Sequence, residues 1–279
     1  MADEVVEYNR ERWEELARAN IEFSRPALNL NRRSARLMVD AEAVMGDVSG
    51  KDVLCLAGGG GQQSAAFGLL GAHVTVLELC RTQLERDHEA ARHYGFHVAT
   101  MEGDMRDLSC FGDNSFDIVW QAHSLNFVPD PIPVFDEVAR VVRPAGLYRV
   151  ECMNPFTQGL VEGDWDGHGY SLRLPYVDGA EIEYRDPYWA FDDAEGKQRR
   201  VKGPREFRHT LGTLVNGLVA RGFVMLGAYE AAEGNSKAKP GTWDHFAAIA
   251  PPWLTFWTTY RPDLTPPKAR RKARKPKRA

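Results

Sequence analysis

The chain has 279 residues, 43% of them hydrophobic and 27% charged, as in a folded globular protein rather than a disordered one. Its net charge of −4 conceals a split: residues 268–279 carry eight basic and no acidic side chains, leaving 27 basic against 39 acidic in the rest. No apolar run approaches the roughly 18 residues of a membrane span, the acidic first twenty residues lack the apolar stretch of a secretory signal, and Cys55, Cys80, Cys110 and Cys152 form no CxxC pair for zinc or redox chemistry. A cytoplasmic protein with free thiols, no membrane partner and no metal is expected.

Residues 3–48 read as helical. Val6, Trp13, Leu16 and Ala17 share one face, Ala35, Met38, Ala41 and Met45 share another, and Ser24-Arg25-Pro26 separates the two segments. From Asp52 strands and helices alternate. Val53–Leu56 is a buried strand ending in Gly58-Gly59-Gly60-Gly61, followed by a helix from Ser64 to Leu70. Val74–Glu78 is a second strand. Thr82-Gln83-Leu84-Glu85 has the form of a capping box, so a helix is expected to start there and to end at Gly95. Further strands are expected at 96–101, 116–120 and 147–152, with a helix over 134–143 stopped by Pro144.

Residues 153–203 break the rhythm: eight of these 51 residues are aromatic. Leu172 and Leu174 alternate with polar neighbours, as do Ile182 and Tyr184, and Asp178-Gly179 between them suggests a β-hairpin. A helical stripe follows (Leu211, Leu214, Val215, Leu218, Val219), then strands at 223–229 and 253–260. The pattern predicts a doubly wound, mostly parallel seven-stranded sheet with helices on both faces. The divisions are an N-terminal helical lid (1–48), a nucleotide-binding core (49–152), an aromatic insertion with a hairpin (153–203), the completion of the sheet (204–264) and a basic tail (265–279).

The glycine run lets backbone approach a nucleotide-like ligand at a helix N-terminus, and Glu78, twenty residues after Gly58, is placed to accept hydrogen bonds from ribose hydroxyls. A dinucleotide frame counted from Gly58 fails at Gln63, but one counted from Gly59 meets Gly61 and then Ser64, which is small enough to leave it open.

The ordered runs VLCLAGGGGQQS, VTVLELC, MEGDMRDLS, FDIVWQAHSLNFVPDP and ARVVRPAGLYRV resemble the motif set of class I S-adenosylmethionine-dependent methyltransferases, in the small-molecule branch called type 11. The resemblance covers roughly residues 48–152 and 204–262. It implies a Rossmann-like fold and S-adenosylmethionine as cofactor. Ala57, Gly58, Gly59, Gly60 and Gly61 would surround the methionine moiety, Glu78 with Leu79 would hold the ribose, and Gly103, Asp104 and Met105 would line the adenine. Gln121, Ala122 and His123 would lie beside the sulfonium. Two departures stand out. Cys55 replaces an acid that helps to hold the methionine ammonium, and Ala57 replaces a glycine. Ala145 also replaces a glycine, and is read as harmless.

Methyl transfer needs a base only where the acceptor loses a proton. His123 and His209 are the candidates, and each also has a structural reading as a packed or capping histidine. Trp165, Tyr170, Tyr176, Tyr184 and Trp189, joined by Tyr188, are the expected acceptor-site walls, with Tyr8 and Trp13 opposite. A small apolar or aromatic methyl acceptor is the leading expectation. An RNA or protein substrate drawn by the basic tail, and a non-catalytic member of the fold, are the alternatives. The sequence is silent on oligomeric state.

Overall fold

The computed structural model describes residues 3–192, 196–230 and 234–265. The basic segment, and with it the RNA or protein reading that rests on it, lies outside them. Helices α1 (Glu4–Arg18) and α2 (Arg32–Val39) come first. The central sheet is built from β1 (Asp52–Leu56), β2 (His73–Glu78), β3 (Val98–Glu102), β4 (Phe116–His123) and β5 (Val142–Met153). Helices α3 (Gln63–Leu70), α4 (Arg81–Tyr94) and α5 (Ile132–Val141) connect them. After the short strands β6 (Tyr188–Asp192) and β7 (Gln198–Lys202), helix α6 (Leu211–Val219), strand β8 (Phe223–Glu230), helix α7 (Trp243–Ile249) and strand β9 (Trp253–Tyr260) complete the chain.

The seven-stranded sheet has the order β3-β2-β1-β4-β5-β9-β8. The first five strands are parallel, and β9 runs antiparallel to both of its neighbours. This is the doubly wound, mostly parallel sheet read from the sequence. Its two faces follow from the period of two along each strand. Leu54, Leu56, Val119, Tyr148 and Val150 pack under α5 and α6. Val53, Cys55, Val74, Val76 and Ile118 pack under α2, α3 and α4. Among the described residues no helix is long and apolar enough to cross a membrane, and no group of His, Cys, Asp or Glu is set to hold a metal.

Four local expectations are corrected. The second N-terminal helix ends at Val39, because Asp40 turns its carboxylate onto the Val44 and Met45 N–H groups, and Met38 is left exposed. The capping box does not form: Cys80 is the N-cap of α4, and Thr82 gives its hydroxyl to Glu14 of α1. The hairpin around Asp178-Gly179 is absent. That segment pairs with residues 206–208 instead, through Gly179 N–H to Arg208 O, Ile182 N–H to Glu206 O and Arg208 N–H to Ala180 O, and Leu172 is exposed. The antiparallel pair lies later, as β6 and β7. Finally, Ala145 is not neutral. It and Ala57 take positive φ, 65° and 47°, which costs an L-residue about 1–2 kcal/mol.

Candidate cofactor and acceptor site

β1 and β2 leave the sheet side by side, and Ala57 N–H donates to Leu77 O at 2.8 Å. The chain then turns through four glycines into α3. Gly60 and Gly61 have φ of +108° and +78°, and a Cβ on Gly59 would sit 2.5 Å from Glu78 Cγ. Gly60 and Gly61 are required by backbone conformation, Gly59 by space.

Glu78, at the carboxyl end of β2, is 6% exposed. Its Oε2 accepts from Gly59 N–H at 3.2 Å and its Oε1 from Cys80 N–H at 3.1 Å. Burial raises its pKa, partly opposed by those N–H groups. A second carboxylate, missed in the sequence, reaches the loop from α4. Asp87 is fully buried. It accepts from Gly60 N–H at 3.3 Å, Gly61 N–H at 3.1 Å and the Ser64 hydroxyl at 2.5 Å. Burial pushes its pKa up to about 7. The available signal was an acid on the apolar stripe of a helix, between Leu84 and Ala91.

Gly103 N–H donates to Glu78 O at 3.0 Å and so ties the third strand's exit to the second's. Asp104 next to it is held by Arg106, whose Nη2 lies 2.7 Å from Oδ2, and Arg106 also pairs with Asp3 before α1 at 2.8 Å. Met105 packs against the core, and Leu79 is half-buried. Gln121 is fully buried and its side chain is already committed. Its Oε1 accepts from the Tyr148 hydroxyl, and its Nε2 donates to Ser124 Oγ at 3.0 Å and lies 3.3 Å from Met105 Sδ. Its backbone lies between β1 and β5, and its carbonyl also accepts from Arg149 Nη1 at 3.3 Å. Ala122 is half-buried beside it.

His123 closes β4. Its ring meets Trp253 edge-on at 4.4 Å and Phe127 at 6.1 Å. Its Nδ1 is buried without a hydrogen-bond partner, and burial lowers its pKa to about 4. Trp13 of α1 packs on Phe127 at 5.3 Å and on Trp189 at 5.9 Å. The rings Trp189, Trp13, Phe127, His123 and Trp253 therefore form one row. The other aromatic candidates are distributed elsewhere. Trp165 and Tyr170 cluster with His245 and Phe246 around α7. Tyr176 stacks on Phe156, and its hydroxyl accepts from Leu211 N–H. Tyr184 donates to the buried Glu206 at 3.1 Å, and Tyr188 is exposed. The insertion does not form a single aromatic wall. His209 is buried, with Nε2 3.0 Å from Leu125 O, and ties its segment to the turn after β4. Thr210, not His209, caps α6.

Helix α1 lies across this edge. Glu14 accepts from Thr82 N–H and from the Thr82 hydroxyl, Arg86 reaches Ala17 O and Asn20, and Asn9 donates to Phe127 O and Arg205 O. A groove of about 500 Å³ opens at the opposite edge, lined by Asp52, His73, Phe96 and His97 among others. It lies at the amino ends of the strands, whereas doubly wound sheets bind ligands at the carboxyl ends, so the glycine loop is the better site.

Residues 54–150 match the family model described as "Methyltransferase domain". The chain is 33% identical over 187 residues to an uncharacterized methyltransferase of Bacillus subtilis, YbaJ, covering 67% of this chain and 71% of that one. It is 36% identical over 106 residues to the demethylmenaquinone methyltransferase of Clavibacter sepedonicus, covering 36% of this chain and 40% of the relative. Among solved structures, a putative S-adenosylmethionine-dependent methyltransferase from Listeria monocytogenes superposes with a TM-score of 0.58 at 17% identity, over 82% of this chain and 98% of that one. Family model, Bacillus relative and sheet topology converge, and the chain belongs to the class I S-adenosylmethionine-dependent methyltransferases.

Proposed function

We propose that the protein methylates a small acceptor with an aromatic or otherwise apolar body, using S-adenosylmethionine bound at the glycine loop. The observation that carries the reading is the row of rings from Trp189 through Trp13, Phe127 and His123 to Trp253. β1 and β4 are neighbours, with Leu56 opposite Gln121, so the glycine loop and the turn after His123 leave the sheet together. A flat apolar acceptor lying along the rings would present its reacting atom beside the loop.

The loop's charge pattern supports the cofactor. Gly60 and Gly61 already donate to Asp87, so the N-terminus of α3 has an anion built into it. That arrangement repels a pyrophosphate and favours a ligand with a cationic end, S-adenosylmethionine over a nicotinamide dinucleotide. When bound, S-adenosylmethionine supplies a methyl group on a positively charged sulfur, so the acceptor needs positioning more than activation. Glu78 would orient the ribose, and Asp104, once released by Arg106, the adenine amino group. Helix α1 would exclude water. His123, neutral above about pH 4 and with a buried ring nitrogen that has no partner, would accept a hydrogen bond from the hydroxyl or amine of an acceptor that enters between the rings.

Calorimetric titration tests the cofactor. S-adenosylmethionine and S-adenosylhomocysteine should bind and NADH should not; no binding of either adenosyl ligand overturns the reading. Transfer of labelled methyl to a panel of phenols, hydroquinones, aliphatic amines and RNA tests the acceptor. Transfer confined to RNA would sink the small-molecule assignment.

His123 gives a separate prediction. His123→Gln should lower kcat by roughly 100-fold for an acceptor that loses a proton, with S-adenosylhomocysteine affinity within threefold of wild type. Because the neutral, proton-accepting form persists down to about pH 4, the two enzymes' kcat profiles should have the same shape from pH 5.5 to 8. An acid limb near 6.5 in the wild type alone, the position of an ordinary histidine, would contradict the assignment.

A further inference from the structure

Two buried carboxylates serve one loop, and among the described residues neither has a cation. Every partner of Glu78 and Asp87 is a backbone N–H or a hydroxyl. The charged groups acting on them are acidic: Glu14 on Glu78, and Glu78 on Asp87. Loop amides and the N-terminus of α3 offset part of the cost of burying this charge, but anions held together without a counter-charge remain unfavourable.

The missing charge has a natural source. S-adenosylmethionine carries an ammonium at its methionine end, and the position from which an acid would help to hold that ammonium is occupied here by Cys55. Cys55 is fully buried on the face of β1 that packs against α3 and α4. Burial and the nearby Asp87 keep its thiol protonated, so it supplies no charge. Asp87 reaches the same loop from the opposite side of that interface, 23 to 27 residues further along the chain than its partners.

We propose that Asp87 takes over the role of the acid absent at Cys55: it holds Gly60 and Gly61 in their left-handed conformation and supplies the negative charge against which the methionine ammonium of the cofactor settles. Asp87 is thus a positioning residue, and the proposal rests on the S-adenosylmethionine reading above. It makes the loop's electrostatics depend on α4 rather than on β1. It also explains why an acid is tolerated on the buried stripe of a helix, where it would otherwise only destabilise.

The test compares two ligands. S-adenosylhomocysteine carries the ammonium; 5′-methylthioadenosine keeps the adenosine and the thioether but lacks the amino-acid end. Asp87→Asn should weaken S-adenosylhomocysteine at least tenfold and 5′-methylthioadenosine less than threefold, and adding Cys55→Asp should recover most of the loss. Equal weakening of both ligands would reduce Asp87 to a loop support. Unchanged S-adenosylhomocysteine affinity would remove it altogether. Either result overturns the proposal, and if wild type binds neither ligand, the cofactor reading falls and takes the proposal with it. Should Asp87→Asn fail to fold, wild type gives a second measurement. The titratable groups facing Asp87 are Cys55 on β1 and Glu78 on β2, with Glu14 of α1 behind Glu78. A cation drawn to Asp87 ionises it, so S-adenosylhomocysteine binding at pH 7 should release about half a proton in calorimetry across buffers, and 5′-methylthioadenosine none. No release with S-adenosylhomocysteine overturns the proposal.

Discussion

Glu78→Ala should lower affinity for S-adenosylhomocysteine by two to three orders of magnitude. Gly59 N–H and Cys80 N–H grip one carboxylate oxygen each, so the group is oriented before any ligand arrives. A carboxylate offers about four acceptor directions, and two remain for the ribose hydroxyls. Hydrogen bonds to a charged group are worth about 1.5–3 kcal/mol each, so losing two in the lower part of that range costs roughly 3–4 kcal/mol, or about 10² to 10³ in affinity. Glu78→Gln retains one acceptor oxygen and should fall between, near tenfold to a hundredfold. The effect on folding has a sign of its own. The folded-state pKa of Glu78 lies above its ordinary value, so its contribution to stability is largest at acid pH and is lost as pH rises through the folded-state pKa. Removing it should therefore cost less stability at pH 8 than at pH 4. Calorimetry and thermal melts measure both quantities, and an S-adenosylhomocysteine affinity within threefold of wild type would show that Glu78 does not hold the ribose.

The glycine loop and Glu78 were legible because their signals are local. A short, continuously apolar strand, a run of glycines and an acid at the next strand's end all follow one another within about 25 residues. Asp87 was not, because an acid in the middle of a helix reads as a solvated surface group until the helix is docked. Its partners are backbone amides, which have no sequence signature. Trp253 was missed for a different reason. β9 runs against β5, so its first residue pairs with Met153, the last residue of β5, and lies at the carboxyl edge beside His123. Reversing one strand brings an amino-terminal residue to the ligand edge, and strand periodicity carries no direction. The aromatic insertion was legible only in composition. Its rings went to whichever surface each segment met: Trp189 to Trp13, Tyr176 to Phe156, Trp165 to His245. A sequence count of aromatics fixes how much apolar surface must be covered, not which part of it faces a ligand.

Gly61→Ala should be the most destabilising single-methyl change in the loop, and Gly58→Ala, three residues earlier, should be nearly silent. At Gly61 the backbone has φ of +78°, and an added Cβ would lie 2.6 Å from Arg86 O and 2.9 Å from Pro26 Cβ. The left-handed conformation alone costs an alanine about 1–2 kcal/mol. The overlap adds roughly 1–2 kcal/mol more, because the atom in the way is backbone of a packed helix and not the end of a flexible side chain. About 3 kcal/mol in a chain of this size corresponds to a fall in Tm of roughly 6–12 °C. At Gly58 the nearest atoms to an added Cβ are 3.5 Å or more away, ordinary contact distances, and φ is not positive, so the change should stay within about 1 kcal/mol. The two variants differ from wild type by the same atoms, and thermal melts of the three proteins isolate the geometry; Tm values for the two within 2 °C of each other would refute it. Function should follow stability only at Gly61. Its carbonyl accepts from Ala27 N–H at 3.1 Å, and Pro26 packs directly on it. Displacing Gly61 therefore moves the segment between α1 and α2 as well as the loop.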